Sequence, residues 1–527
     1  MIPSGMFQPA ELRSELYLPW SQGRGVDVWA MIVASLTGNL DTIKALTARD
    51  PGLLHCSFEY LTPIRFAVRE NQRAVVEYLL AQGENPLELI GESLTTIARD
   101  RGYTELLELL ERLIYERYHI RPEGTEIANV IKDGDLPRLR GIIGTRPELV
   151  QAADDSGNQP IHWAVLTRQI DVIDYLLSLG ADIEAQRPDG ARPMDLTNGD
   201  YHYRSWYRDL PPTGLRKHEV LLGYLMGRGA YCDISVAAKI GYYHRVRELL
   251  DQDSGLATRL PAYVGYYSGL PLRNAAAAGH IEIVKLLLDR GADVNEPEPG
   301  IAPMGGALHA AVGGRHYEIV RLLLDRGADA NAQVESSGDC LSMARHVGAP
   351  QEIIDLIASH ADHRAIDIIA YEADEEVLRR SLETDANFDV TPFLGRLIGE
   401  DKREQLELIL RYQPDVLRKV REDGAAWWDA ASFHSAEQAR WLFQRGLDPG
   451  LRNWLGITRL HRCAEKGEID IAEVCLEFGA DINAIETQWG LTPLGWAAKK
   501  GRTEMVKWLT ARLGSAKQSR SGESNYQ

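Results

Sequence analysis

The stretch HIEIVKLLLDRGADVN, residues 280–295, returns 36 residues later as HYEIVRLLLDRGADAN, residues 316–331. In both, Ile, Val and Leu recur at the three- and four-residue spacing of one helix face, with charges on the opposite face. The glycine that follows, Gly291 or Gly327, supplies a left-handed helix stop, and the polar residues after it form a turn toward the next element. Weaker copies of the turn are LGADIE (179–184), RGAYCD (228–233), RGLDPG (445–450) and FGADIN (478–483). Self-similarity of this kind marks a repeat array, so the prior of several ordinary domains for 527 residues does not apply.

A second signature alternates with the first: TPIRFAV (62–68), QPIHWAV (159–165), LPLRNAA (270–276), GALHAAV (306–312), ITRLHRCA (457–464) and LTPLGWAA (491–498). Proline there suits the first turn of a helix, where no amide donor is needed, and a preceding threonine can cap it. The small pairs Ala275–Ala276, Ala310–Ala311 and Ala497–Ala498 let two short helices approach closely. One such unit buries too little surface to fold alone, so neighbours must stack.

Together the two signatures resemble the ankyrin repeat, and the resemblance runs from about residue 26 to residue 513. It implies an all-α fold, a helical solenoid of about fifteen helix–turn–helix units. The expected organisation is an N-terminal cap (1–25), a first block of repeats (26–118) and a second block (119–333) with an aromatic insertion at 197–217. Degenerate repeats (334–421), C-terminal repeats (422–513) and a disordered tail (514–527) follow. Weak signatures in 334–421 predict less stable interfaces there, because array stability sums unit and neighbour terms. The tail, GSAKQSRSGESNYQ, has almost no apolar content. The resemblance also assigns His162, His309 and His461, at the fourth place of the second signature, to hydrogen bonds with backbone of the adjoining unit.

The insertion interrupts one unit. From Pro193 to Val220 the chain takes 27 residues where the family takes about twelve, and the excess of roughly fifteen lies in the aromatic stretch NGDYHYRSWYRDLPPTGLRK, residues 198–217. A loop added between the helices of a unit leaves the stack intact, and such insertions tend to fall on a binding face. Tyr201, Tyr203, Arg204, Trp206, Tyr207 and Arg208 are therefore candidate binding residues, with Tyr242, Tyr266 and Tyr267 from the neighbouring units. Tyrosine, tryptophan and arginine combine large contact area with hydrogen bonding and dominate interface hot spots. The bland alternative is that these rings plaster the loop onto the solenoid. Trp454 and Trp489, each close before the glycine of consecutive repeat turns, are further candidates as neighbouring tips, against a role in shielding the last repeat. Trp163 and Trp496 lie in first helices and read as half-buried core.

Composition narrows the chemistry. Basic residues number 58 against 76 acidic, a formal charge of -18, which disfavours nucleic acid and anionic membrane as partners. Five scattered cysteines without a C-x-x-C pair read as reduced thiols of a cytoplasmic protein. The N-terminus shows no signal-peptide pattern, and no window approaches a membrane span. Phosphate-loop, nucleophile-elbow and zinc-protease motifs are missing, so neither cofactor nor metal is expected. The leading expectation is an interaction scaffold that binds an unidentified protein or peptide through its groove and the insertion. The rival is an enzyme or small-molecule binder, possibly for carbohydrate, using Asp200, His202 and Asp209 beside the insertion.

Overall fold

The computed structural model of the chain describes residues 3, 5–18, 21–87, 92–197, 218–259, 270–296, 305–332, 334, 338–361, 375–420 and 433–523, with side chains to residue 513. These form two compact units. One comprises Met1–Tyr17, Arg24–Val33 and His363–Gln527, the other Leu18–Gly23 and Ala34–Asp362.

The unit ending at Asp362 is an all-α solenoid of paired helices. Pro160–Leu166 with Ile170–Ser178, Pro271–Ala278 with Ile281–Asp289, and Ala307–Gly313 with Tyr317–Asp325 are representative first and second helices. Pro63, Pro160 and Pro271 each open a first helix, where the missing amide donor costs nothing. First helices stack on first helices, Pro271–Ala278 lying between Ile234–Lys239 and Ala307–Gly313, with Ala275, Ala276 and Ala311 fully buried at the close approach. Second helices add the larger apolar stripe, as with Ile319, Val320, Leu323 and Leu324. Gly291 (φ 92°) and Gly327 (φ 89°) end second helices in the left-handed region that a Cβ disfavours.

Units are stitched forward through the fourth place of the first-helix signature. His162 accepts the Gln159 N–H at Nδ1 (3.0 Å) and donates from Nε2 to the Ala185 carbonyl of the next turn (2.9 Å). His309 donates from Nε2 to the Gly338 carbonyl (3.3 Å), with the Cys340 thiol beside its Nδ1 at 3.4 Å. Where arginine stands in that place, Arg65 donates to the Glu92 carbonyl (2.6 Å).

A second stitch runs backward from the start of each second helix. Gln72 Nε2 donates to the Leu36 carbonyl (3.2 Å), Gln169 Nε2 to Ile131 (2.6 Å), His280 Nε2 to Lys239 (3.1 Å) and His316 Nε2 to Ala277 (3.2 Å). Carbonyls at helix ends lack intrahelical donors, so these bonds satisfy orphan acceptors while fixing neighbour spacing.

The other unit repeats the plan. Its helices include Thr391–Gly399, Arg403–Tyr412, Ala436–Gln444, Arg459–Lys466, Ile469–Glu477 and Pro493–Lys499. His461 bridges the Thr458 N–H (3.2 Å) and the Leu491 carbonyl (3.1 Å). The backward stitch reaches the degenerate segment, where Gln438 Nε2 donates to the Ile398 carbonyl (2.6 Å), and Gln413 Nε2, at the end of the helix Arg403–Tyr412, donates to that of Phe388 (2.8 Å).

Two features differ from the sequence-based expectation. The last helix runs Thr503–Glu523, into the stretch expected to be disordered. Extending an existing helix adds a hydrogen bond per residue without a new nucleus, and Ala516, Lys517 and Gln518 are adequate helix formers. The first helix of the insertion-bearing unit is only the 3-10 turn Pro193–Leu196. The N-terminal residues, expected as a cap, bond the start of the first helix Gly25–Thr37, where the Gly25 N–H donates to the Leu16 carbonyl (3.2 Å) and the Val26 N–H to that of Ser14 (3.1 Å). They also meet the C-terminal repeats, where the Phe7 N–H donates to the Trp454 carbonyl (3.1 Å).

Candidate functional site

The residues of the expected insertion fall in sequence between the turn Pro193–Leu196 and the helix His218–Gly227. Its residues Tyr201, Tyr203, Arg204, Trp206, Tyr207 and Arg208 lie outside the described residues, as do Asp200, His202 and Asp209 of the rival reading and Tyr266 and Tyr267.

The described ground around it is built on one arginine. Arg192 sits among three carboxylates: Asp195 (3.1 Å), Asp233 (2.5 Å) and Glu184 (3.3 Å). Asp195 is buried; desolvation pushes its carboxyl above the usual range, although Arg192 opposes the shift. Glu184 accepts the Tyr231 N–H (2.7 Å), and Arg192 Nη1 donates to the Tyr231 carbonyl (3.3 Å). This ties the turn of the insertion-bearing unit to the start of the following unit. Such a charged knot holds geometry, and the Asp195 carboxylate faces its own arginine. Tyr231 is half exposed with the Arg245 guanidinium 5.5 Å from its ring centroid, and Tyr242 is 46% exposed at the start of the next second helix. Tyr231 was not among the sequence candidates, because it replaces the aspartate of the turn signature and read as a repeat position.

At the C-terminal repeats the two tryptophans part company. Trp454 is 3% exposed, with the Trp29 ring edge-on at 6.4 Å and Phe7 bonded to its backbone, so it is not an exposed tip. The covering residues are at the other end of the sequence, where no repeat pattern announces them. Trp454→Ala is expected to cost about 3–5 kcal/mol, as for other buried tryptophans. A urea midpoint within error of wild type would refute this packing. Trp489 is half-buried, its ring 4.6 Å from that of Trp496, with the ammoniums of Lys499 and Lys500 each 5.2 Å from its centroid. Trp163 and Trp496, expected half-buried, are both 1% exposed.

Among the described residues no helix is long and apolar enough to cross a membrane.

Family models match three stretches: a model of many ankyrin copies at 460–510, one of three copies at 234–334, and a single ankyrin repeat at 156–187. The chain is 37% identical over 73 residues to "Protein fem-1 homolog A-like" of Mus musculus, covering 14% of this chain and 11% of that protein. It is 32% identical over 83 residues to "Protein phosphatase 1 regulatory subunit 27" of Homo sapiens, covering 16% and 53%. A third relative, "Putative palmitoyltransferase ZDHHC13" of Danio rerio, is 28% identical over 155 residues, covering 26% and 22%. The chain thus spans between about a tenth and about a half of the length of these relatives. Ankyrin arrays of this kind support a role in protein interaction. The paired helices, the histidine stitches and the three matched stretches agree that the chain carries ankyrin repeats.

Proposed function

We propose that the chain is an interaction scaffold that recognises a partner protein or peptide through a preformed surface. The surface consists of the 197–217 insertion with Tyr242, Tyr266 and Tyr267 of the neighbouring units. The observation that carries this reading is a loop rich in Tyr, Trp and Arg, added between the two helices of a unit whose flanks remain tied by Arg192, Glu184 and Asp233. A flank fixed in advance lowers the ordering cost of binding, so more of the contact energy appears as affinity. Exposed Tyr231 and Tyr242 extend the same chemistry. Cytoplasmic residence fits the cysteine pattern, with all five thiols free and buried.

The test is a paired capture from native cell extract, comparing wild type with a variant carrying Tyr201, Tyr203, Trp206 and Tyr207 as alanine. A macromolecule retained by wild type alone is the expected result. A retained small molecule would replace this reading with the Asp200, His202 and Asp209 alternative. Identical captures, with a lowered Tm in the variant, would make the segment a structural buttress.

A further inference from the structure

The C-terminal end of the sequence differs in charge from the rest of the chain. From residue 487 to 527 there are seven basic and two acidic residues, a local charge of +5. The preceding residues hold 51 basic and 74 acidic, or -23, and the sum recovers the overall -18.

The local structure concentrates part of that charge on aromatic rings. In the earlier unit with tryptophan after the fourth place, the Trp163 Nε1–H donates to Asp154 (2.7 Å) and one ammonium, Lys132, lies 3.8 Å from the ring centroid. In the last unit Glu486 stands where Asp154 does, but its carboxylate accepts backbone N–H groups of Gln488 (2.5 Å), Trp489 (3.1 Å) and Leu491 (3.0 Å). Trp496 Nε1 is left buried without a hydrogen-bond partner. Trp489 covers it at 4.6 Å, Lys499 and Lys500 converge on Trp489, and the Arg462 guanidinium is 5.6 Å from Trp496. Glu465 is shared between Arg462 (3.0 Å) and Lys500 (3.0 Å). On the same turn as Trp489, Ile485 is 62% exposed.

We propose that this face, formed by Ile485, Trp489, Lys499, Lys500 and Arg462, docks an acidic, extended peptide segment of a partner protein. Two ammoniums drawn to one ring repel each other, and an arriving carboxylate is attracted to both. Ile485 and the open part of Trp489 offer apolar contact to side chains between the carboxylates. The cations alternate with Glu465 and Glu468, whose pairing with Arg459 is 3.1 Å. That interleaving suits discrete carboxylates separated by apolar residues and opposes a continuous phosphate backbone, as does the -23 of the remaining chain. The inference is independent of the 197–217 surface, and the chain then holds two recognition faces of different chemistry.

The test is fluorescence anisotropy of a labelled peptide of about twelve alternating Glu and Leu residues, titrated with the full-length chain at low salt and at physiological salt. Binding should weaken at least about tenfold in Lys499→Glu/Lys500→Glu and also in Lys499→Gln/Lys500→Gln, which places no new anion beside Glu465. It should weaken with rising salt, fail with a Lys and Leu peptide, and survive the four-alanine insertion variant unchanged. Unaltered Tm in the Gln variant assigns the loss to the charges. The proposal is overturned if the acidic peptide does not bind, if both lysine variants bind it as wild type does, or if single-stranded DNA binds more tightly through the same lysines.

Discussion

Acidification from pH 6.5 to pH 4 is expected to remove several kcal/mol of folding stability, and the loss begins well above the pH at which most carboxylates titrate. Burial pushes His162 and His461 down to about 4, because each ring is enclosed and the native bonds use its neutral form. Nδ1 must accept from the N-terminus of its own helix, and Nε2–H must donate to a carbonyl of the next unit. In the unfolded chain the same rings titrate near 6.5. The folded values are thus depressed, the unfolded state takes up protons first, and stability is full above 6.5 and lost as pH falls toward 4. Each ring contributes about 1.4 kcal/mol per pH unit across that window, or on the order of 3 kcal/mol in total. His309 is also lowered by burial and adds in the same direction. His55 acts oppositely, since its hydrogen bond to Glu84 raises it, but it is more than half exposed and solvent screens the contribution. Urea midpoints followed by circular dichroism at pH 7, 6, 5 and 4.5 measure the slope, and His162→Gln should flatten it. A midpoint constant from pH 6.5 to 5 would contradict the neutral-histidine stitch.

Trp163→Ala is expected to be the most damaging single substitution in the middle repeats, at about 3–5 kcal/mol. The ring is fully buried, and the indole N–H is one of the groups satisfying Asp154, which also accepts the Ser156 N–H (3.0 Å) and Asn158 N–H (2.9 Å). Trp163→Phe separates volume from hydrogen bonding. It keeps most of the ring but leaves a buried carboxylate short of a donor, a loss of about 1–3 kcal/mol beyond packing. The same change at Trp496 removes an N–H that has no partner, so Trp496→Phe is expected to cost less. Chemical denaturation of the two phenylalanine variants decides the comparison. Equal losses would mean that the Asp154 bond contributes nothing.

Much of the fold was legible because an array repeats its own instructions. The second-helix stripe, the glycine stop and the histidine at the fourth place each recur at nearly fixed spacing, and His162, His309 and His461 take up the bonds expected of them. The backward stitch was missed because Gln72, Gln169, His280 and His316 differ chemically, although each occupies the start of a second helix and reaches a carbonyl of the preceding unit. Arg65 was missed as a histidine substitute for the same reason. The fate of Trp454 was not legible at all. Its neighbours Phe7 and Trp29 are remote in sequence, and periodicity records only contacts between adjacent units. Spacing alone flags the excess residues between Pro193 and Val220, whereas recognition of a partner depends on surface chemistry that no repeat encodes.

The central claim is that the 197–217 segment recognises rather than supports. It is tested most directly by the dissociation constant of the captured partner for wild type and for the four-alanine variant, with Tm measured on both. The account predicts affinity weakened by about 30-fold or more, the scale of a lost hot spot of about 2 kcal/mol, with Tm essentially unchanged. Equal affinity accompanied by a lowered Tm would contradict it.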